Sequence, residues 1–146
     1  MQIKQVRWVQ ATLLYLGLTN IFPGVWALFM PHSFYDSFPG LGRVWVAVDG
    51  PYNEHLIRDV GGFFLALALL SFLTLLAPRL VSVRATAICL LTFNTPHLLY
   101  HLKHLHMLPV IDQIGNVVAL SAGVLLPVLL LFHKPIVTQT IQSAIP

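Results

Sequence analysis

The sequence is poor in charged residues and in cysteine. Only 9% of its 146 residues are charged, 57% are hydrophobic, and the mean hydropathy is +0.80. This composition excludes a soluble enzyme domain, a disordered tail and a secreted disulfide scaffold. The single cysteine, Cys89, cannot form an internal disulfide and lies in an apolar stretch. The eight basic residues are scattered in ones and twos, which argues against a nucleic-acid partner.

No Asp, Glu, Lys or Arg occurs in residues 8–35, 60–78, 85–102 or 113–133, and these four stretches mark membrane-spanning helices. The spans are expected at about residues 11–30, 56–77, 85–104 and 113–132. A helix rises about 1.5 Å per residue and a bilayer core is about 30 Å thick, so each segment is long enough to cross. The predicted fold is all-α: residues 1–146 form one polytopic domain, a four-helix transmembrane bundle with a long first outer loop.

The distribution of charge predicts the orientation of this bundle. One side carries five basic residues: Lys4, Arg7, Arg79, Arg84 and Lys134. The other carries three: Arg43, Arg58 and Lys103. Both termini are therefore expected to be cytoplasmic, in a bacterial-type plasma membrane, and the first span is taken as retained rather than cleaved. All five acids and six of the seven histidines fall on the outer side, where we expect the functional site.

The densest polar pattern lies in the outer half of the third span. At 100° per residue, His97, His101 and His104 lie within about 60° of one another, with Asn94 at the edge of the stripe. Ionisable groups at such depth normally face the bundle interior and pair there, because lipid does not solvate them. The pattern predicts a row of imidazoles that reaches into the bundle.

The second and fourth spans supply the expected partners of these histidines. Two i,i+4 pairs begin the second span: Glu54 with Arg58, and His55 with Asp59. In the fourth span Asp112 is placed to cap the helix start, and Asn116 lies one turn deeper. Together these groups predict one outward-opening polar pocket between the second, third and fourth spans.

Two or three imidazoles with one carboxylate suit a transition metal such as Zn, Cu or Fe(II). The predicted ligands are the histidines of the two spans: His55, His97, His101 and His104. Glu54 or Asp59 is expected to act as a further ligand, an orienting group or a general base. Haem with two axial histidines is a less favoured alternative. Interfacial histidines and ion pairs can equally satisfy one another at a wet helix end with no cofactor.

The first outer segment, residues 31–53, is the only long loop and is rich in aromatic residues. They are Phe34, Tyr35, Phe38, Trp45 and Tyr52. One interpretation is an aromatic belt at the membrane interface. The other is a lid that closes the pocket toward water and leaves a lateral route for an amphiphilic ligand.

Small residues at four-residue spacing predict where helix backbones approach closely. They are Gly62 and Ala66 in the second span, and Gly115, Ala119 and Gly123 in the fourth. Such residues favour helix association in lipid, where the hydrophobic driving force between helices is absent.

The run Arg58-Asp59-Val60-Gly61-Gly62, followed by an Ala/Leu-rich span, resembles the opening of the second helix in the DoxX-like group of small four-helix membrane proteins. Residues 52–59 and 96–102 are also similar to bacterial membrane proteins for which we know no assigned activity. The first resemblance implies a four-helix layout and, from members linked to quinone or thiol oxidation, a redox accessory role. It carries no catalytic residue onto this chain, and Cys89 supplies no dithiol.

Three functions compete at this point. The first is a metal- or cofactor-binding membrane protein, with redox or hydrolytic chemistry on a small amphiphilic substrate. The second is a non-catalytic accessory or interaction subunit of a membrane complex. The third, transport, is the weakest, because the inner half of the bundle has few polar residues. The expected partners are the lipid bilayer and either a homo-oligomer or a larger membrane complex.

Overall fold

The structure is a computed structural model that describes residues 2–134 and 136–138, so the rest of the predicted 1–146 domain lies outside the described residues. It is largely helical, which confirms the all-α class. The helices of the described residues are α1 (Arg7–Phe29), α2 (Pro31–Ser37), α3 (Glu54–Leu76), α4 (Val83–His104) and α5 (Val110–Leu131). The four long helices begin and end within four residues of the predicted spans. A 3₁₀ turn, Leu105–Met107, follows α4.

Two short antiparallel strand pairs complete the fold. β1 (Gln2–Lys4) pairs with β4 (Ile136–Thr138), so the two ends of the described chain meet beyond the bundle. β2 (Pro39–Gly40) pairs with β3 (Arg43–Val44) within the long loop. The turn between β2 and β3 has positive φ at Gly40, Leu41 and Gly42, and two of these three positions are the glycines that adopt it without steric strain.

Among the described helices, α1, α3 and α5 are long and apolar enough to cross a membrane. The α4 helix has 22 residues but is not one of these three candidates. Charged and polar residues in it, Arg84 and Lys103 among them, lower its hydropathy. The described residues therefore form a helical protein with three apolar span candidates.

Side-chain caps fix the starts of two long helices. The Asn53 side chain accepts a hydrogen bond from the Leu56 backbone N–H (3.1 Å) at the start of α3, and Ser82 accepts one from Ala85 (3.1 Å) at the start of α4. Helix α5 begins after Pro109 without a side-chain cap. The prediction that Asp112 caps this helix is therefore wrong, since Asp112 lies inside the first turn and binds the loop instead.

The bundle consists of two tightly packed helix pairs. Helix α1 packs along α3, and α4 packs along α5, while contacts between the two pairs are sparse. Glycines allow the α1–α3 approach: a methyl group at Gly61 would lie 2.6 Å from the backbone nitrogen of Leu28, too close to be accommodated. At Gly62 such a group would meet nothing within 4 Å. The prediction that Gly62 mediates close packing is wrong, because Gly61 holds the position that faces α1.

The core is continuous at the end of the bundle opposite the long loop. Its buried apolar members come from all four long helices: Val9, Leu13, Leu16, Leu67, Ala87, Leu90 and Leu130. Several polar groups buried at this end are hydrogen-bonded, although Gln5 Oε1 has no partner among the described residues. Gln5 donates to the Thr74 carbonyl (2.7 Å), and the Thr74 and Thr86 hydroxyls are hydrogen-bonded across α3 and α4. The two pairs are therefore joined firmly at this end, which leaves the loop end to accommodate a cavity.

Candidate functional site

A cavity of about 730 Å³ lies between the α1–α3 pair and the α4–α5 pair. At 1.5 Å per residue, it extends roughly 20 Å from the loop end of the bundle. From the helices it is lined by Tyr15, Thr19, Asn20, Pro23, Leu56, Ile57, Val60, Phe64, Asn94, His97, Tyr100, His101, Asn116, Ala119, Leu120 and Gly123. Most of this surface is apolar, and the volume falls within the range of small-molecule sites, about 300–1,000 Å³.

The segment 31–53 covers the open end of this cavity, and we call it the lid. The prediction that all of it is loop is wrong, because its first part forms the helix α2 (Pro31–Ser37). All five aromatic residues singled out in the sequence line the cavity: Phe34, Tyr35, Phe38, Trp45 and Tyr52. The Phe34 and Phe38 ring centroids are 4.7 Å apart, and the Tyr35 hydroxyl donates to the Gly50 carbonyl (2.7 Å). These aromatic residues are therefore arranged as a lid over the cavity, and they do not form a belt that faces only outward.

Tyr52 contributes a neutral hydroxyl to the rim of the cavity. Partial desolvation, and then the negative charge of Glu54, raise the pKa of Tyr52 above its ordinary value of 10.0. The hydroxyl therefore stays protonated at neutral pH and can both donate and accept a hydrogen bond.

Asp112 fastens the lid to α5. Its Oδ1 accepts hydrogen bonds from Arg43 Nη1 (3.0 Å) and from Trp45 Nε1 (3.0 Å), and the residue is only 5% exposed. The Trp45 ring lies against Gly115, where a methyl group would be 3.3 Å from it. We call Arg43, Trp45 and Asp112 the lid anchor. The pairing of Asp112 with Arg43 gives this buried carboxylate a charge partner, without which its burial would be strongly destabilising.

Three asparagines from three helices provide polar groups in the cavity. Asn20, Asn94 and Asn116 are 6%, 7% and 2% exposed and all line it. The side-chain amides of Asn20 and Asn94 each donate to the backbone carbonyl four residues earlier, at 2.7 and 2.9 Å. Asn116 Oδ1 has no hydrogen-bond partner among the described residues. A buried polar atom without a partner is destabilising, so Asn116 is a natural contact for a bound molecule.

Two of the predicted histidines, His97 and His101, line the cavity, with ring centroids 4.7 Å apart. The His97 ring stacks on Phe93 (5.4 Å) and meets Phe64 edge-on (6.2 Å), which fixes it at the α3–α4 boundary. Asp49 of the lid lines the same cavity and interacts electrostatically with His101. The sequence stripe thus correctly predicted that these imidazoles face inward.

His104, the third member of the stripe, does not line the cavity. Its Nδ1 is hydrogen-bonded to the Tyr100 carbonyl (2.8 Å) and its ring stacks on the Tyr100 ring (4.2 Å). His104 lies about one turn nearer the end of α4 than His101, where this face of the helix no longer borders the cavity.

The two i,i+4 pairs of α3 form as predicted, but away from the histidines of α4. His55 Nε2 lies 3.3 Å from Asp59, and Arg58 Nη2 lies 2.8 Å from Glu54. His55 has a side chain that is 89% exposed, and none of the four residues lines the cavity. The structure therefore does not bring His55, Asp59 or Glu54 to His97 and His101. Among the described residues no group of three His, Cys, Asp or Glu side chains could hold a metal ion.

Several residues at the site were missed in the sequence. Asn20 lies alone in the apolar first span, a signal that could have marked it as an interior polar group. Asp49 and Arg43 lie in the loop, where no periodicity indicates which way a side chain points. The lid anchor also joins positions 69 residues apart, which local patterns do not reveal.

No family model matches the chain, and neither a curated protein nor a solved structure matches it. The site is therefore interpreted from its own geometry.

Proposed function

We propose that this chain is an integral membrane protein that binds a small amphiphilic molecule in the cavity beneath the lid. The single observation that carries the proposal is a mostly apolar cavity of about 730 Å³ with a few buried polar groups. Apolar walls accommodate the body of a ligand, and a few convergent polar groups orient it. Three apolar span candidates support a location in the bilayer.

The proposed topology has four spans, with α4 as the fourth. Support for this comes from the direction of its polar groups, because Asn94, His97 and His101 line the cavity. A helix whose polar residues face a protein interior can cross a bilayer at a lower mean hydropathy. The distribution of basic residues supports cytoplasmic termini and a cavity on the outer side of a bacterial-type plasma membrane. The DoxX-like resemblance remains a prediction that agrees with this layout.

Lateral access from the bilayer is part of the proposal. Contacts between the α1–α3 and α4–α5 pairs are sparse, while the lid is fastened to α5 through Asp112. A lipid-soluble molecule would then enter between the pairs, and the aromatic lid would separate it from water.

Metal binding is the second candidate, and the proximity of His97 and His101 favours it. Their ring centroids are 4.7 Å apart, and Asp49 faces the same cavity. Two imidazoles are part of a ligand set for Zn, Cu or Fe(II). Because the described residues offer no third side-chain ligand close enough, the remaining positions would have to be filled by water or by the bound molecule. A non-catalytic accessory subunit is the alternative if the cavity binds nothing.

A binding titration with a small amphiphilic fluorophore tests the proposal. The protein is placed in lipid nanodiscs and titrated with 1-aminoanthracene, with empty nanodiscs as the blank. We expect saturable binding at one site per chain. Ala119→Phe should weaken it, because Ala119 lines the cavity and the larger side chain occupies part of the space that the ligand needs.

The matched control is Ala66→Phe, which introduces the same ring at an exposed position of α3 outside the cavity lining. This variant should bind like the unmodified chain. Absence of saturable binding, or an equal loss in both variants, would overturn the cavity proposal. Co-purification of a larger membrane protein together with that result would favour the accessory subunit.

A further inference from the structure

The charges around the cavity restrict what it can bind. Among the described residues that line it there is no Lys, Arg or Glu, and Asp49 is the one carboxylate. Among the described lining residues, only the imidazoles of His97 and His101 could become cations, and an imidazole is mostly uncharged at neutral pH. An anionic headgroup at the depth of the asparagines would therefore be buried without a full positive charge beside it, which is strongly unfavourable. Nearer the lid it would face Asp49 and be repelled. The cavity is therefore expected to disfavour the binding of fatty-acid carboxylates and phosphate headgroups.

The hydrogen-bonding groups at mid-depth have spare acceptor capacity. Asn20 and Asn94 each use one amide N–H within their own helix, which leaves the Oδ1 atoms to accept. Their amides cannot be flipped, since the exchange would place Oδ1 against a carbonyl oxygen. Each keeps a second N–H as well, so these two amides can both accept and donate.

Asn116 indicates which kind of group is missing. It is the most deeply buried of the three, and its Oδ1 accepts nothing among the described residues. The terminal torsion of asparagine is broad, so rotation about it can turn this oxygen toward the cavity that the residue lines. The Asn94 side chain does not satisfy it, because Asn94 Oδ1 lies beside Gly123, about 10 Å further along α5. A ligand that donates a hydrogen bond to Asn116 Oδ1 would satisfy this unpaired acceptor.

We propose that the cavity selects an uncharged amphiphile with a hydroxyl group, an alcohol or a phenol, whose O–H donates to Asn116 Oδ1. This inference rests on the proposed function and names its ligand class. The apolar body lies among the apolar side chains of α3, for example Leu56, Val60 and Phe64, and the hydroxyl lies at the level of Asn116.

A matched ligand series tests the selection on the unmodified protein. Dodecanol, dodecyl methyl ether and dodecanoate compete with 1-aminoanthracene in nanodiscs, each corrected for its partition into empty nanodiscs. Dodecanol should bind about tenfold more tightly than the ether, which lacks the donor, since one net hydrogen bond is worth about one decade of affinity. Dodecanoate should bind at least about tenfold more weakly than dodecanol, because its charge has no partner. Equal binding of alcohol and ether, or preferred binding of dodecanoate, overturns the inference.

The Asn116→Leu variant assigns the preference to this residue. It should bind alcohol and ether equally, while Gln113→Leu, an amide lost from the same helix outside the cavity lining, should keep the preference. If Asn116→Leu keeps the preference, the assignment to Asn116 is wrong. If the Asn116→Leu variant does not fold, the ligand series on the unmodified chain still tests the preference for the alcohol.

The two proposals fail in different ways. Saturable 1-aminoanthracene binding without preference for the alcohol overturns this inference alone. Absence of saturable binding by the fluorophore overturns the proposed function and this inference with it.

Discussion

The indole Nε1 of Trp45 donates a hydrogen bond to Asp112 Oδ1 across 3.0 Å, and this contact joins the lid to α5. The same oxygen accepts from Arg43, also at 3.0 Å. One buried carboxylate thus positions an aromatic residue over a cavity that four helices surround. The other end of the lid is held by apolar packing, in which Phe34 packs with Ala27 of α1 and Ile57 of α3.

Replacing Asp112 with alanine should release the lid. We expect the free energy of unfolding to fall by about 1.5–3 kcal/mol, because hydrogen bonds to a charged group are lost. Denaturation in mild detergent measures this, and proteolysis within residues 39–50 should become faster. Asp36→Ala is the control, since Asp36 is an exposed carboxylate paired with His32 (2.8 Å) on the same loop. Its loss should change stability by less than about 1 kcal/mol. Equal effects in the two variants would contradict the anchor.

Gly61 and Gly62 make a matched pair for the α1–α3 contact. Gly61→Ala should destabilise the protein by about 1–3 kcal/mol, because the added methyl group would lie 2.6 Å from the Leu28 backbone. Gly62→Ala should be neutral or stabilising by up to about 1 kcal/mol, as alanine restricts the unfolded chain and Gly62 faces open space. Thermal unfolding of both variants in the same detergent gives the comparison. A larger loss in Gly62→Ala would disprove the packing described here.

The buried hydroxyl pair between α3 and α4 predicts a second stability difference. Thr86→Val should lower the free energy of unfolding by about 1 kcal/mol, since Thr74 loses its buried partner. Thr92→Val should have little effect, because the Thr92 hydroxyl is exposed and bonds only the Ile88 carbonyl of its own helix. Chemical denaturation of the two variants distinguishes them, and an equal response would argue against a role for the Thr74–Thr86 contact.

The metal hypothesis predicts one equivalent of Zn, Cu or Fe, measured by elemental analysis after incubation with each metal. His97→Ala and His101→Ala should each reduce the bound metal to background, whereas His55→Ala should not, because His55 is exposed and away from the cavity. Metal ligation needs neutral imidazole, so occupancy should fall as the pH drops below about 6. Occupancy that is unchanged at pH 5, or lost only in His55→Ala, would count against these two ligands.

The sequence predicted much of the fold because hydropathy is a local property. Runs without charge located the four long helices, and the predicted spans begin and end within four residues of the observed helices. Helical periodicity also placed His97 and His101 on an inward face correctly. Periodicity does not give the point at which a helix leaves the interior, so it grouped His104 with them although that ring stacks on Tyr100.

The predicted partners of these histidines failed for a different reason. The i,i+4 pairs of α3 are local and formed as expected, yet the rotation of α3 about its axis depends on packing against α1. Gly61 faces Leu28, and Arg58 one turn earlier donates to the Leu28 carbonyl. This orientation leaves His55 exposed and Asp59 outside the cavity lining.

The sequence alone determined that the protein is helical, that it carries apolar segments of membrane-spanning length, and that its acidic residues and histidines gather at one end. These properties depend on composition over a few turns of chain. The tertiary structure decided which polar groups meet: Asp112 with Arg43 and Trp45 of the lid, and Asn20, Asn94 and Asn116 in one cavity. These contacts depend on the rotation of each helix about its axis and on the path of the lid. Both are determined by packing between residues that are far apart in the chain.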